Sequence, residues 1–403
     1  MSLNQTPTSE RVHIALFGKR NVGKSSIINA ITNQDLSIVS PTEGTTTDPV
    51  YKSMEILPLG PVVLIDTAGL DDDGILGAQR IQKSYQVLNK TDIAVLIADS
   101  TRGLSQLDYD LIERFHKRNL PFVIAFNKAD LCEPPIPYDM KEHCIDVSAN
   151  SGYHIKELKE LIAQMIPQKD STKRIVGDLI KPSDLVILVI PVDSSAPKGR
   201  LILPQQQTIR DILDEHAGCI CVQPKELSLL LSRLNIKPKM VITDSQAFEQ
   251  VAKIVPEDIP LTSFSILFAR YKGNLSTLVQ GAKTLDYLQD GDRVLISEGC
   301  THHRQCEDIG TVKLPGWIKN HTSCQLDYDF TNGQHFPEQL SKYKLIIHCG
   351  GCMLNEQEMK HRMTQAERCH VPITNYGTAI AYMHGILKRS LSLFPEVADL
   401  LDN

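Results

Sequence analysis

An α/β chain of three domains is what the 403 residues predict, on three observations. Apolar runs of strand length alternate with helix-like stretches through most of the chain. Residues 18 to 25 form a glycine loop between one such run and a helix. Two cysteine-bearing turns follow strand-like runs in the last third. The expected order is a P-loop NTPase domain over residues 1–170, followed by two smaller parallel-sheet α/β domains over 175–268 and 269–403.

The first element is an apolar run from Val12 to Phe17, followed by Gly18-Lys19-Arg20-Asn21-Val22-Gly23-Lys24-Ser25 and a helix-like stretch from Ser26 to Ile31. A triphosphate needs this arrangement. Small residues let backbone N–H groups close on phosphate oxygens, Lys24 reaches the β and γ phosphates, and Ser25 offers a hydroxyl to Mg²⁺. Next comes the run Val62 to Ile65 with Asp66-Thr67-Ala68-Gly69, where Asp66 is placed to hold Mg²⁺ through water and the Gly69 N–H lies near the γ-phosphate. The run Phe122 to Phe126 leads into Asn127-Lys128-Ala129-Asp130. In this NKxD form the carboxylate accepts from a ring N–H and an exocyclic amine, which guanine offers and adenine does not. Ser148-Ala149-Asn150 after Ile145 to Val147 completes the guanine side. These loops assign GTP binding to Gly18, Asn21, Val22, Gly23, Lys24, Ser25, Ser26, Asn127, Lys128, Asp130, Ser148, Ala149 and Asn150.

Residues 11 to about 168 therefore resemble the translation-factor-related GTPases. Ser37-Ile38-Val39-Ser40 followed by Gly44-Thr45-Thr46-Thr47-Asp48 is similar to switch I of the Era and MnmE group. That resemblance implies that Asn21 holds a K⁺ ion in place of an arginine finger, and that Thr45 or Thr46 senses Mg²⁺, with Thr46 the expected catalytic threonine beside Lys24, Asn21, Asp66 and Gly69. Position 70 is Leu, so the water-positioning Gln of Ras-like proteins is absent.

Composition bounds the remainder. A chain this long exceeds one ordinary core. A net charge of −6 without a Lys/Arg block argues against a nucleic-acid face. Met1 to Glu10 is polar, and the longest apolar runs, such as Leu185 to Ile190, are strand-length. The expectation is a cytoplasmic protein with no membrane partner. In that reducing setting the ten cysteines are expected to bind metal or pack rather than form disulfides.

After a linker from Gln168 to Pro182, strands are expected at Leu185 to Val192, Cys219 to Val222, Met240 to Thr243 and Phe264 to Phe268. Helices are expected at Gln205 to Glu215, Lys225 to Leu234 and Ala247 to Ile254. No cluster of catalytic residue types lies there, so a dimerisation surface is the expected role.

The third region places Cys300-Thr301-His302-His303 after the run Arg293 to Ile296, and His348-Cys349-Gly350-Gly351-Cys352 after Lys344 to Ile347. Three thiolates with histidines have two chemical readings. They form a closed Cys3His zinc site, or they hold a cubane with one iron left for an exchangeable ligand. Cys306 lies within reach of Cys300 but a packing role is expected for it, Cys324 and Cys369 have no recognised partner spacing, and Cys132 and Cys144 belong to the GTPase part.

The whole order, with Asp308-Ile309-Gly310 and Pro372-Ile373-Thr374-Asn375-Tyr376-Gly377 in place, resembles the HydF family of (FeFe)-hydrogenase maturation GTPases. The resemblance implies a 4Fe-4S cluster on Cys300, Cys349 and Cys352, with Glu307, His302, His303 or water at the fourth iron. It implies a homodimer that carries the diiron subcluster to apo-hydrogenase in company with radical-SAM maturases. The alternative is a GTP-dependent tRNA-modification or ribosome-assembly factor with a zinc site, against which the acidic balance counts.

Overall fold

The computed structural model describes residues 6–32, 49–71, 74–166, 173–192, 201–273, 275–299, 308–333 and 335–402. Two compact units divide the chain, Met1–Lys169 and Asp170–Asn403.

The first unit is built on one sheet of six strands: β1 Val12–Phe17, β2 Val50–Ile56, β3 Gly60–Asp66, β4 Ile93–Asp99, β5 Phe122–Asn127 and β6 Cys144–Asp146. Their order is β2-β3-β1-β4-β5-β6, parallel except for the β2/β3 pair. The apolar runs are near continuous because both faces are covered. Ile14 and Leu16 of β1 enter one core while Ala15 and Phe17 enter the other, and Val62, Leu64 and Val63, Ile65 of β3 divide in the same way. All five parallel strands therefore end on one edge, which gathers the loops that follow β1, β3, β4, β5 and β6.

The second unit contains two four-stranded sheets, both parallel throughout. The strands β7 Leu185–Val189, β8 Gly218–Val222, β9 Met240–Thr243 and β10 Leu261–Ser263 lie in the order β10-β9-β7-β8. The strands β11 Arg293–Ser297, β12 Asp327–Thr331, β13 Leu345–His348 and β14 Ile373–Asn375 lie in the order β12-β11-β13-β14. One core runs from Ile187 and Val241 in the first of these sheets to Leu295 and Ile346 in the second, while Val294, Ile296, Leu345 and Ile347 fill the second sheet's other face.

One expected element changes type. Phe264 to Phe268 is the start of a helix, Phe264–Lys272, and the last strand of its sheet is β10, immediately before it. The run is buried on all sides, with Phe264, Ile266, Leu267 and Phe268 in the core, so it carries no period that separates strand from helix. Ser263 decides the matter by capping the helix, its Oγ accepting from Ile266 N at 3.2 Å. No helix among the described residues is long and apolar enough to cross a membrane.

Candidate functional site

The glycine loop of the first unit is held by groups from two neighbouring loops, and a third is tied to it through Asn127. Gly23 has φ +94°, and a Cβ there would run into the Asn127 amide, so the close approach of these two loops requires glycine. Asn127 is buried and works in both directions. Its Nδ2 donates to Val22 O at 2.9 Å and its Oδ1 accepts from Ala149 N at 3.0 Å, tying the glycine loop to the Ser148-Ala149-Asn150 loop. Lys24 Nζ donates to Gly18 O and Lys19 O at 2.8 and 2.7 Å, which places the ammonium inside the loop it follows.

Ser25 Oγ donates to Asp66 Oδ2 at 3.0 Å. Burial pushes the Asp66 carboxyl up, against the pull of the Ser25 hydroxyl and the Lys24 charge. Its other oxygen, Oδ1, is buried with no hydrogen-bond partner. An orphaned carboxylate oxygen beside a serine hydroxyl is a donor set of the hard type that Mg²⁺ takes.

The guanine side is a cavity of about 770 Å³ lined by Asn21, Gly23, Ser26, Asn127, Lys128, Asp130, Ser148, Ala149 and Asn150. Lys128 sits at φ +66° and pairs with Asp99 Oδ2 at 2.6 Å. Burial would raise the Asp99 carboxyl, but the bonds from Lys128 and Thr101 outweigh it and hold the pKa below the ordinary value. Asp99 was not among the sequence candidates; its signal is an aspartate closing the fully apolar strand β4. Asn29 was missed too. It lines the same cavity, and its Oδ1 is buried without a partner. Thr45 and Thr46 lie outside the described residues.

In the second unit β11 and β13 are parallel neighbours, with Ser297 opposite His348. The turn Cys349-Gly350-Gly351-Cys352 thus leaves the sheet beside the segment that leads to Cys300. Cys349 N donates to Ser297 O at 2.9 Å, extending the ladder by one residue. The Cys349 sulfur accepts from Gly299 N at 3.0 Å and Gly351 N at 3.4 Å. Burial pushes its thiol up to about 11, against the pull of these two N–H groups. Cys352 is likewise raised by burial and lowered by the nearby Lys272 charge. Half-buried cysteines with N–H groups aimed at one of the two sulfurs fit a thiolate bound to a soft metal centre. Cys300, His302, His303, Cys306 and Glu307 lie outside the described residues, and among the described ones no three His, Cys, Asp or Glu side chains gather as a metal set.

The turn is braced from behind by charge that the sequence does not announce. His348 is buried, its Nδ1 2.7 Å from Cys349 O and its Nε2 2.9 Å from Arg362 Nη1. A carbonyl accepts and a guanidinium donates, so these partners assign the neutral tautomer with the proton on Nδ1. Burial first, then the Arg362 charge, push the His348 pKa down to about 3. Arg362 is 0% exposed and also donates to Glu358 Oε1 at 2.9 Å and Gly333 O at 3.0 Å. On the other flank Tyr376 Oη donates to Glu298 Oε1 at 3.2 Å, and burial with that carboxylate drives the phenol far above its ordinary value, so it stays a donor.

Comparison with known proteins matches three stretches of the chain, one in the first unit and two in the second. Residues 13–128 match a model described as 50S ribosome-binding GTPase. The tRNA modification GTPase MnmE of Bordetella petrii is 34% identical over 151 residues, 37% of this chain and 32% of that protein. GTPase Der of Wolinella succinogenes is 35% identical over 168 residues, 38% of this chain and 36% of that protein. The chain thus spans about a third of the length of these curated relatives. Among solved structures, Era from Aquifex aeolicus bound to GDP.AlF4⁻ aligns with a TM-score of 0.34 and 23% identity, over 60% of this chain and 97% of that one. Residues 175–273 match the hydrogen maturase F dimerization domain, and residues 276–393 match the hydrogen maturase F tetramerization domain. The chain belongs to the hydrogen maturase F family. It carries a GTPase domain, which takes GTP with Mg²⁺, and two oligomerisation domains of that family. The match to a tetramerization domain in the cysteine-bearing region is one that sequence reasoning did not anticipate, because strand ends and cysteines carry no signature of a subunit contact.

Proposed function

We propose that the chain is a K⁺-activated GTPase whose second unit holds a 4Fe-4S cluster on Cys300, Cys349 and Cys352 and carries a diiron precursor to apo-(FeFe)-hydrogenase. The observation that supports this most is the Cys349 sulfur, half-buried at a strand end and receiving two backbone N–H groups in a chain of the hydrogen maturase F family. A cubane on three cysteines supplies one iron with an exchangeable ligand, the chemistry a carrier needs and a zinc finger lacks. Glu307 or His302 is the proposed fourth ligand. Gly299 and Gly351 soften the charge on the Cys349 sulfur, and His348 with Arg362 fixes the carbonyl that precedes the turn's glycines.

In the first unit Lys24, the Gly69 N–H, Ser25 and Asp66 bear the phosphates and Mg²⁺, while Asp130, Lys128 and Asn127 hold guanine. Thr46 completes the Mg²⁺ set from switch I. Asn21, at φ +60° on the rim of the cavity, is the proposed K⁺ ligand. Replacement Asn21→Gly keeps the left-handed backbone and deletes only the side chain. It is expected to remove the advantage of K⁺ over Na⁺ in GTP turnover; a variant that still prefers K⁺ as strongly as the parent excludes the assignment.

Two chains pair through the open edge of β8, which ends its sheet and is half exposed, and the partners are apo-hydrogenase and the radical-SAM maturases. The cluster reading is tested by iron, sulfide and zinc analysis of anaerobically purified protein. Iron and sulfide in cubane proportion support it, and zinc alone excludes it.

A further inference from the structure

Lys272 ends the helix Phe264–Lys272 and is only 7% exposed. A lysine this deeply buried is rare, since removing an ammonium from water is costly unless negative charge or oxygen acceptors lie close to it. Its Nζ donates to Leu354 O at 3.2 Å, two residues beyond Cys352 and 82 positions away in sequence. Lys272 also lines a small cavity of about 20 Å³ together with His348, Cys349 and Gly350. The helix that carries it starts at the end of β10, so a residue from the sheet of the dimerisation region reaches the cysteine turn of the next sheet.

We infer that Lys272 is a positioning residue of the cysteine site: its ammonium offsets the negative charge of a thiolate-held cluster and sets the cluster's reduction potential. The inference rests on the cluster reading above. A fixed positive charge lining the same cavity as Cys349 favours the more negative, reduced form, so its removal shifts the midpoint to more negative values. The hydrogen bond to Leu354 O holds the charge in place by anchoring the chain just past Cys352.

The test uses the full chain, purified anaerobically, with iron and sulfide counted and the midpoint measured by EPR-monitored dithionite titration. Lys272→Met removes charge and hydrogen bond, Lys272→Gln removes the charge and keeps an amide donor, and Lys272→Arg keeps the charge. The expected result is a more negative midpoint for Met and Gln and a midpoint near the parent's for Arg. Failure of Met and Gln to retain iron, with Arg retaining it, also supports the inference. Midpoints unchanged in Met and Gln overturn it, as does loss of iron from all three variants, which assigns Lys272 to packing. Absence of iron from the parent chain instead overturns the cluster reading itself.

Discussion

The nucleotide site and the cysteine site are both built at the carboxyl ends of parallel strands, yet they are supported differently. Around the glycine loop most functional residues brace one another: Asn127 joins two loops and Ser25 meets Asp66, and only Lys128 takes a partner, Asp99, from outside the motif strings. Around the cysteine turn the bracing comes from residues outside the two cysteine strings: Arg362, Glu358, Tyr376 and Lys272. A site that supports itself is written in short contiguous strings. A site held from outside has its ligands in a string and its rigidity scattered over distant helices.

The largest expected effect separates the two sites by activity. Lys24→Ala removes the ammonium at the phosphates and is expected to abolish GTP turnover while leaving iron content unchanged. Loss of iron in that variant would show that the two sites depend on each other for assembly. Next is Arg362→Ala. It leaves Glu358 as an unpaired buried charge and His348 without its donor, a loss of about 3–5 kcal/mol by the usual cost of breaking a buried pair. Chemical denaturation should show a lowered transition for the second unit and an unchanged one for the GTPase unit. Equal lowering of both would mean that the brace is not local. The smallest of the three is Asn127→Ala, which leaves Val22 O and Ala149 N without their partner, a cost of about 1–3 kcal/mol. It should appear as weakened GTP affinity in a binding titration, with no change in the second unit's stability.

This difference explains what the sequence made legible. Four loops of the nucleotide site were read correctly as following strands because each is short, local and set by backbone geometry, as at Gly23 and Lys128. Asp99 and Asn29 escaped because an aspartate at a strand end and an asparagine inside a helix are ordinary residues until the fold brings them to the cavity. In the second unit the turn at Cys349 does follow its strand, and β11 and β13 prove to be neighbours, while Cys300 to His303 lie outside the described residues. Arg362 was not legible: its helix, Glu356–Arg368, is strongly polar, and nothing in its pattern marks one arginine as fully buried. The helix at Phe264 was misread because burial on every side erases periodicity, and the deciding signal was the single cap at Ser263.

The central claim is that a cluster site and a GTPase site coexist in one chain and can be separated by one sulfur. Its most direct test is Cys349→Ser, purified anaerobically beside the parent, with iron and GTP turnover measured on the same samples. The account predicts iron in the parent, loss of that iron in the variant and GTP turnover nearly equal in the two. Iron retained in full by the variant, or zinc in place of iron in the parent, would contradict it.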